Sequence, residues 1–221
     1  MGKTNRYDRV VVIGLGRFGS ALAAELVREG VDVLGIDSSL RLVQEHADVL
    51  THAAVADATD PEALRQLGVA ESPCAVVGIG TAIEASILTT SVLAELGVPQ
   101  IWAKATTPQQ QRILLRVGAH HVVQPERDMG KRVAHLVSGR MLDYIEFDDD
   151  YAIAKTAAPA EAVGHTLGDS RLRSKYDVTV VGIKRPGEGF TYATAETVVH
   201  KGDVLVVAGK THDLEQLANL A

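Results

Sequence analysis

The first 125 residues alternate between short apolar runs and segments with helical periodicity. The apolar runs predict six strands, at 10–13, 31–36, 52–55, 75–79, 100–103 and 121–123, and the intervening segments predict helices at 17–30, 40–47, 60–67, 83–96 and 108–117. Strands that are apolar throughout are typical of parallel sheets, which are covered on both faces. The alternation therefore predicts an α/β fold with a Rossmann-like, doubly wound parallel sheet in the N-terminal lobe.

The first predicted strand runs into the glycine-rich segment Gly14-Leu15-Gly16-Arg17-Phe18-Gly19, a GxGxxG pattern that opens a helix. In this context Gly14 permits a tight turn, Gly16 lets a pyrophosphate approach the backbone, and Gly19 lets helix and strand pack closely. The helix N-terminus supplies N–H donors and a partial positive charge for the anion. We predict an adenine-nucleotide site; the alternative is a glycine turn that serves packing alone.

Two acidic residues follow predicted strands at the edge of the sheet where ligands bind. Asp37 ends the second strand, 18 residues after Gly19, where a carboxylate accepts hydrogen bonds from ribose hydroxyls and repels a 2′-phosphate. Asp57 ends the third strand at the same edge. The alternative for Asp37 is a helix cap. The carboxylate of Asp37 therefore disfavours NADP as the ligand.

Arg17 is the unusual residue of the glycine loop, because a cation at a helix N-terminus opposes the dipole by roughly 0.3–1 kcal/mol. A terminal phosphate would offset that cost and accept a bidentate bond from the guanidinium. Arg17 therefore favours ATP or ADP over NAD, against the alternative of a solvated surface arginine.

The pattern changes after residue 125. Residues 126–142 predict one long connecting helix, followed by the acidic turn 148–150. The remainder is rich in strands (152–156, 178–184 and 204–208) with short helices at 166–174 and 212–220. We predict a nucleotide-binding lobe at residues 1–142, which includes the connecting helix, and a smaller α+β lobe at residues 143–221.

Composition excludes several classes of protein. The net charge of −6 disfavours nucleic acid as a partner, and no apolar run is long enough to span a bilayer. The single cysteine, Cys74, lies in an apolar run and is expected to fill the core. The histidines are scattered and no predicted helix carries a Tyr-x-x-x-Lys, so the chain shows no obvious set of proton donors for a dehydrogenase. We predict that the protein is not an enzyme.

Several motifs resemble the regulator-of-potassium-conductance (RCK, TrkA-N/TrkA-C) family, and in particular its Ktr-type regulatory subunits. The resemblance extends over nearly the whole chain. Its most specific part is Pro125-Glu126-x-Asp128-Met129-Gly130, and further matches lie at 11–19, 85–90, 101–105 and 172–176.

The resemblance implies a nucleotide-gated regulator that ATP activates and ADP inactivates. Arg17 would contact the γ-phosphate, and the nucleotide would also lie against Phe18, Ile79 and Lys104. Glu126 would help to hold Mg²⁺ or Ca²⁺ at a dimer interface; the alternative is an ordinary acidic residue in the first helical turn. Asp57 departs from the asparagine of some relatives.

The resemblance also implies an assembly and a location. Dimers would form an octameric ring under a KtrB-like membrane subunit that transports potassium, so the protein would be cytoplasmic and peripheral to the inner face of the cell membrane. Some relatives bind cyclic di-AMP in the second lobe, where Arg173 could meet a phosphate and Leu172 could pack on a base; an ordinary exposed helix end is the alternative.

Two other functions stay open from the sequence. The nucleotide site would also serve an NAD(H)-binding redox sensor of the TrkA type or a small NAD-dependent dehydrogenase. A redox-sensing repressor is disfavoured, because only nine residues precede the first strand and the chain is acidic.

Overall fold

The computed structural model describes residues 7–137, 141–148 and 150–220. It divides into two compact units, Met1–Glu126 and Arg127–Ala221. The division falls after Glu126; the domain boundary near residue 143 stays a prediction. Among the described residues, no helix is both long and apolar enough to cross a bilayer.

The first unit is a six-stranded parallel sheet with helices between its strands, as predicted. The strands lie in the order β3-β2-β1-β4-β5-β6, and β1 and β4, at the centre, are where the order reverses. The strands are β1 Arg9–Ile13, β2 Asp32–Asp37, β3 His52–Val55, β4 Cys74–Val77, β5 Gln100–Lys104 and β6 His121–Val123. The helices are α1 Arg17–Arg28, α2 Leu40–His46, α3 Pro61–Gln66, α4 Ile83–Glu95 and α5 Pro108–Arg116.

Each face of this sheet packs into its own hydrophobic core. Val11 and Ile13 of β1 point into one core, and Val10 and Val12 of the same strand point into the other. Both sets are buried, which is why the strand is apolar at successive positions rather than at alternate ones. Cys74 lies in the second core and is buried, which confirms its expected packing role.

The turn from β1 into α1 depends on two glycines. Gly14 has a φ of +92°, and its N–H donates to the carbonyl of Ile36 at 2.7 Å. A Cβ at Gly19 would overlap the carbonyl oxygen of Gly14, so α1 approaches the loop more closely than any other residue would allow. Gly16 is different, because a Cβ there would meet no atom within 4 Å.

The second unit begins with helix α6, Pro125–Val137, whose first residues belong to the first unit. It continues as a five-stranded antiparallel sheet in the order β10-β9-β11-β8-β7. The strands are β7 Asp143–Asp148, β8 Tyr151–Ala157, β9 Thr179–Lys184, β10 Phe190–Tyr192 and β11 Val204–Lys210; the short helices are α7 Leu167–Ser170, α8 Leu172–Tyr176 and α9 Thr211–Ala218. This α+β architecture was predicted.

Several details of the second unit differ from the sequence prediction. The predicted helix 166–174 is broken at Arg171, whose φ of +53° ends α7 before α8 begins. The predicted connecting helix 126–142 ends earlier, because Met141 and Leu142 are not helical; residues 138–140 lie outside the described part. Strands β7 and β10 were not predicted. Within the expected acidic turn, Asp148 ends β7, Asp150 lies in the turn, and Asp149 lies outside the described part.

An ion pair between Arg185 and the buried Asp203 connects β9 to the turn before β11 in the second unit. The carboxylate of Asp203 is 0% exposed and accepts hydrogen bonds from Nε and Nη2 of Arg185, both at 3.2 Å, and from the N–H of His200 at 2.8 Å. Burial alone would raise the pKa of Asp203, but the bonds from Arg185 and His200 outweigh it, and the pKa is lowered.

Asp203→Asn should therefore destabilise the second unit by about 2–3 kcal/mol, because it leaves the Arg185 guanidinium without a charged partner. Amide hydrogen exchange in β9 and β11 would measure the loss. Glu188→Gln is the control, since Glu188 is exposed and lies three residues from Arg185. Because folding lowers the carboxyl pKa, its contribution is present above about pH 4 and lost as the pH falls through the folded-state pKa. Equal exchange rates in the two variants at pH 7 would contradict the assignment.

The two loop glycines should respond oppositely to alanine. Gly19→Ala should cost about 3 kcal/mol or prevent folding, because the new methyl group collides with the Gly14 carbonyl. Gly16→Ala should change the stability by less than about 0.5 kcal/mol, because its methyl group enters open space. Urea denaturation followed by the fluorescence of Trp102, which lies in β5, would measure both. Equal destabilisation by the two substitutions would show that the close approach is unimportant.

Candidate functional site

A cleft of about 280 Å³ lies at the carboxyl edge of the parallel sheet. The segments that follow β1, β2, β3 and β4 line it, together with the inner face of α4. This is the position that the switch in strand order predicts for a ligand in a doubly wound sheet. Five of the predicted site residues line the cleft: Gly14, Gly16, Asp37, Asp57 and Ile79.

Asp37 ties the glycine loop to the neighbouring strand. Its Oδ2 accepts the N–H of Leu15 at 2.7 Å, and its Oδ1 accepts the N–H of Ser39 at 2.8 Å. Ser39 holds the N-cap position of α2, although its side chain makes no capping hydrogen bond, and Asp37 lies two residues before it, outside the cap position that the sequence left open. Each carboxylate oxygen has capacity for another hydrogen bond, which leaves Asp37 able to accept from a ribose while it holds the loop.

Asp57 forms a local turn at the other wall of the cleft. Its Oδ1 accepts the hydroxyl of Thr59 at 2.7 Å and the N–H of Thr59 at 2.9 Å. These bonds, the hydroxyl first, lower the pKa of Asp57. Thr59 also lines the cleft and was missed from the sequence, although an Asp followed two residues later by Thr is the pattern of such a turn.

The positive charges lie beside the glycine loop rather than in this acidic part of the cleft. Lys104, at the end of β5, is only 8% exposed, and its Nζ lies 5.7 Å from the ring centroid of Phe18. A Cβ on Gly80, which lines the cleft, would lie 3.2 Å from that ammonium. Gly80 was also missed from the sequence. Arg17 begins α1 and is exposed, and the first turn of α1 contains no acidic residue.

Glu126 lies in the first turn of α6 and accepts a hydrogen bond from Nζ of Lys104 at 2.5 Å. That bond is the largest cause of a lowered pKa for Glu126; the backbone N–H of Glu126 adds to it, and the charge of Arg17 makes a smaller contribution. Glu126, Lys104 and Arg17 therefore form one electrostatic group beside the cleft. The sequence analysis predicted Arg17 and Lys104 as nucleotide contacts and Glu126 as a metal ligand, but did not pair Lys104 with Glu126.

Among the described residues, Glu126 is not joined by a group of further metal ligands. Within residues 7–137, 141–148 and 150–220, no group of three or more His, Cys, Asp or Glu side chains is arranged to hold a metal ion. A divalent cation at Glu126 would compete with the Lys104 ammonium for the carboxylate. Within the described part of the chain, Glu126 is thus a single ligand and not a complete metal site.

A second cavity, of about 480 Å³, lies in the second unit. Leu172 and Arg173 both line it, together with Arg171, Thr179 and Ala195. The Arg173 side chain is exposed, whereas Leu172 is buried and belongs to the hydrophobic core of the unit. The structure therefore brings Leu172 and Arg173 together at one cavity, separate from the cleft of the first unit.

Comparison with known proteins gives matches along both units. Residues 10–125 match the TrkA-N domain, and residues 152–221 match the TrkA-C domain. The Ktr system potassium uptake protein C of Bacillus subtilis is 41% identical over 206 residues, which are 93% of each chain. The Ktr system potassium uptake protein A of the same organism is 36% identical over 94% of each chain, and that of Vibrio alginolyticus is 35% identical over 94% of each.

Solved structures share the fold. The RCK domain of GsuK superposes with a TM-score of 0.66 at 19% identity, and the match covers 98% of this chain and 48% of that chain, about half its length. GsuK bound to ADP matches with a TM-score of 0.52 at 26% identity, over 60% of this chain and 34% of that chain. Two matched domains and relatives above 30% identity over nearly full length show that the chain belongs to the TrkA-N/TrkA-C (RCK) family of Ktr-type potassium uptake proteins.

Proposed function

We propose that this protein is the nucleotide-binding regulatory subunit of a membrane potassium-transport system. The observation that carries the proposal is the division of charge around the cleft of the first unit, in a chain of this family. Asp37 and Asp57 line the cleft, whereas Lys104 and Arg17 lie beside the glycine loop. The charge of a nucleotide is distributed to match: its nucleoside, which would face the two aspartates, is neutral, and its phosphates, which would face the two cations, are anionic.

The geometry favours ATP and ADP as the ligands. The ribose hydroxyls would donate to Asp37, and the phosphates would follow the glycine loop toward Arg17 and Lys104. An NAD molecule would bring its second nucleoside, instead of a phosphate, toward the little-exposed Lys104 ammonium beside Gly80. GsuK has been solved with ADP and also with NAD, so this neighbour supports nucleotide binding without separating the two ligands. NAD(H) is the second candidate ligand, as in a redox sensor or a small dehydrogenase.

The proposed activity is a conformational switch without catalysis. ATP and ADP share their adenosine contacts. Only the γ-phosphate can therefore cause ATP to stabilise a different conformation of the protein from ADP. A ligand shifts an equilibrium only by the difference between its affinities for the two states. Arg17 supplies that difference in our proposal, so that ATP activates and ADP inactivates transport.

An exposed stripe on α6 supports the proposed assembly. Met129, Val133 and Val137 are spaced by four residues and are all exposed, so they form one apolar face of the helix. A second copy packing on this face would bring two Glu126 side chains near each other. We propose such dimers as the units of an octameric ring that docks, in the cytoplasm, on the membrane potassium-transporting subunit.

The cavity in the second unit is the candidate site for cyclic di-AMP. Arg171 and Arg173 line it, and guanidinium groups bind phosphates in a bidentate way. Titration of the full chain with cyclic di-AMP would test this site separately from the nucleotide site.

Arg17→Ala should keep the affinity for ADP within about twofold and weaken ATP by at least tenfold, or about 1.4 kcal/mol, because only ATP offers the terminal phosphate. Calorimetric titration with ATP, ADP and NADH would measure this. Arg28→Ala is the matched control, since Arg28 ends the same helix. Equal losses for ATP and ADP would remove the γ-phosphate role from Arg17. Tight NADH with weak ATP in the unsubstituted protein would replace the switch by an NAD(H) function.

Glu126→Gln should remove most of the added thermal stability that Mg²⁺ or Ca²⁺ gives to the ATP-bound protein, because the neutral amide lacks the negative charge with which a carboxylate binds these cations. The melting temperature with ATP, with and without each cation, would show it. Asp128→Asn, an exposed acidic residue two positions further along α6, is the control. Metal stabilisation that survives Glu126→Gln would show that Glu126 is not the ligand.

A further inference from the structure

Helix α4 lines the cleft of the first unit with only one of its two halves. The C-terminal half packs through Val92 and Leu93, which are buried in a hydrophobic core of the unit. The N-terminal half borders the cleft through Ala85 and Thr89, which are four residues apart and lie on one face of the helix. The half that borders the cleft therefore presents small side chains, whereas the other half is anchored by larger apolar ones.

Two hydroxyl groups in the N-terminal half of α4 are buried and unpaired. Ser86 and Thr89 are both 0% exposed, and neither Oγ of Ser86 nor Oγ1 of Thr89 has a hydrogen-bond partner among the described residues. Thr90 differs, because its hydroxyl donates to the carbonyl of Ser86 at 2.7 Å, a common arrangement for a hydroxyl inside a helix. A buried hydroxyl without a partner costs free energy in the folded protein, so both positions need an explanation beyond packing.

Only one of these two residues borders the cleft. Thr89 is part of its lining, and Ser86, three residues earlier, is not. The cleft measures about 280 Å³, near the lower limit of the about 300–1,000 Å³ that is typical of small-molecule sites. A nucleoside that enters a cleft of this size contacts its walls on every side, α4 included.

The nucleoside is the part of a nucleotide that would lie against α4. In the site proposed above, the phosphates follow the glycine loop toward Arg17 and Lys104, which leaves the ribose and the base within the cleft. A nucleoside carries hydrogen-bond donors and acceptors, and the hydroxyl of Thr89 can pair with either. Because Thr89 is 0% exposed, the contact requires a small adjustment. Threonine populates two χ1 rotamers in helices, and the N-terminal half of α4 lacks the large apolar anchors that would resist a shift.

We propose that Thr89 forms a hydrogen bond with the nucleoside of a bound adenine nucleotide, and that the N-terminal half of α4 adjusts to make this contact. The inference rests on the nucleotide site proposed above and adds the helix that responds when this site is filled. Arg17 distinguishes ATP from ADP through the γ-phosphate. Thr89 contacts the part that the two nucleotides share, so α4 responds to either of them.

Thr89→Val tests the contact, because valine has nearly the shape of threonine and lacks only the hydroxyl. The melting temperature of the protein without nucleotide should rise by about 2 °C, since an unpaired buried hydroxyl is removed. The affinities for ATP and ADP should both fall about fivefold, since each nucleotide loses the same hydrogen bond. Thermal denaturation and calorimetric titration would measure the two effects. A hydroxyl with a purely structural role would give a lower melting temperature and unchanged affinities.

Ser86→Ala is the matched control. It removes the other unpaired hydroxyl of α4, so it should also raise the melting temperature, but it should leave both affinities within about twofold because Ser86 does not border the cleft. Amide hydrogen exchange supplies a second readout of the helix. Saturation with ADP should slow exchange at residues 84–89 of the unsubstituted protein, and slow it less in Thr89→Val.

Three outcomes would overturn the inference. Unchanged affinities in Thr89→Val would remove the contact and leave the nucleotide site intact. A loss of affinity for ATP alone would assign Thr89 to the γ-phosphate instead of the nucleoside. Failure of the unsubstituted protein to bind ATP, ADP or NADH would overturn the nucleotide site itself, and the contact with it.

Discussion

The first unit depends on the close approach of α1 to the turn that precedes it. Because Gly19 has no side chain, the helix can begin directly above the carbonyl of Gly14, with its N-terminus directed at the cleft. Asp37 holds the same turn from the adjacent strand through the N–H of Leu15. The geometry of the loop that we propose binds phosphate is thus set by backbone atoms, and its specificity is left to the side chains around it.

Lys104, at the end of β5, adds an enclosed positive charge to this site. Lys104 is largely enclosed, yet its charge is compensated by Glu126. A buried ammonium is costly to leave unpaired, so Lys104 favours a ligand phosphate, and such a phosphate would leave the exposed Glu126 free for the divalent cation proposed above. Nucleotide and divalent cation would then reinforce each other's binding through a shared ion pair, without a separate transmission pathway.

Much of this could be predicted from the sequence, because the signals were local. The apolar runs predicted the six strands of the first sheet, and the order of glycines predicted the loop before α1. Asp37 and Asp57 could be placed at the ligand edge because parallel strands end there. What could not be predicted depends on contacts between distant residues: the Lys104–Glu126 pair joins positions 22 apart. Strand β7 was missed because polar and exposed residues such as Glu146 interrupt its alternation of apolar and polar positions. The break between α7 and α8 was missed because the residues around Arg171 follow a helical pattern.

The edges of the second sheet limit how the protein can associate. One edge strand, β10, has only three residues, and the other, β7, has an irregular register between Glu146 and Asp148. Short and irregular edges are poor templates for an added strand. Growth by strand addition, the route to open-ended fibres, is therefore closed at both sides of this sheet. Apolar surface on the helices and faces of this unit can then be exposed without the risk of polymerising through the backbone.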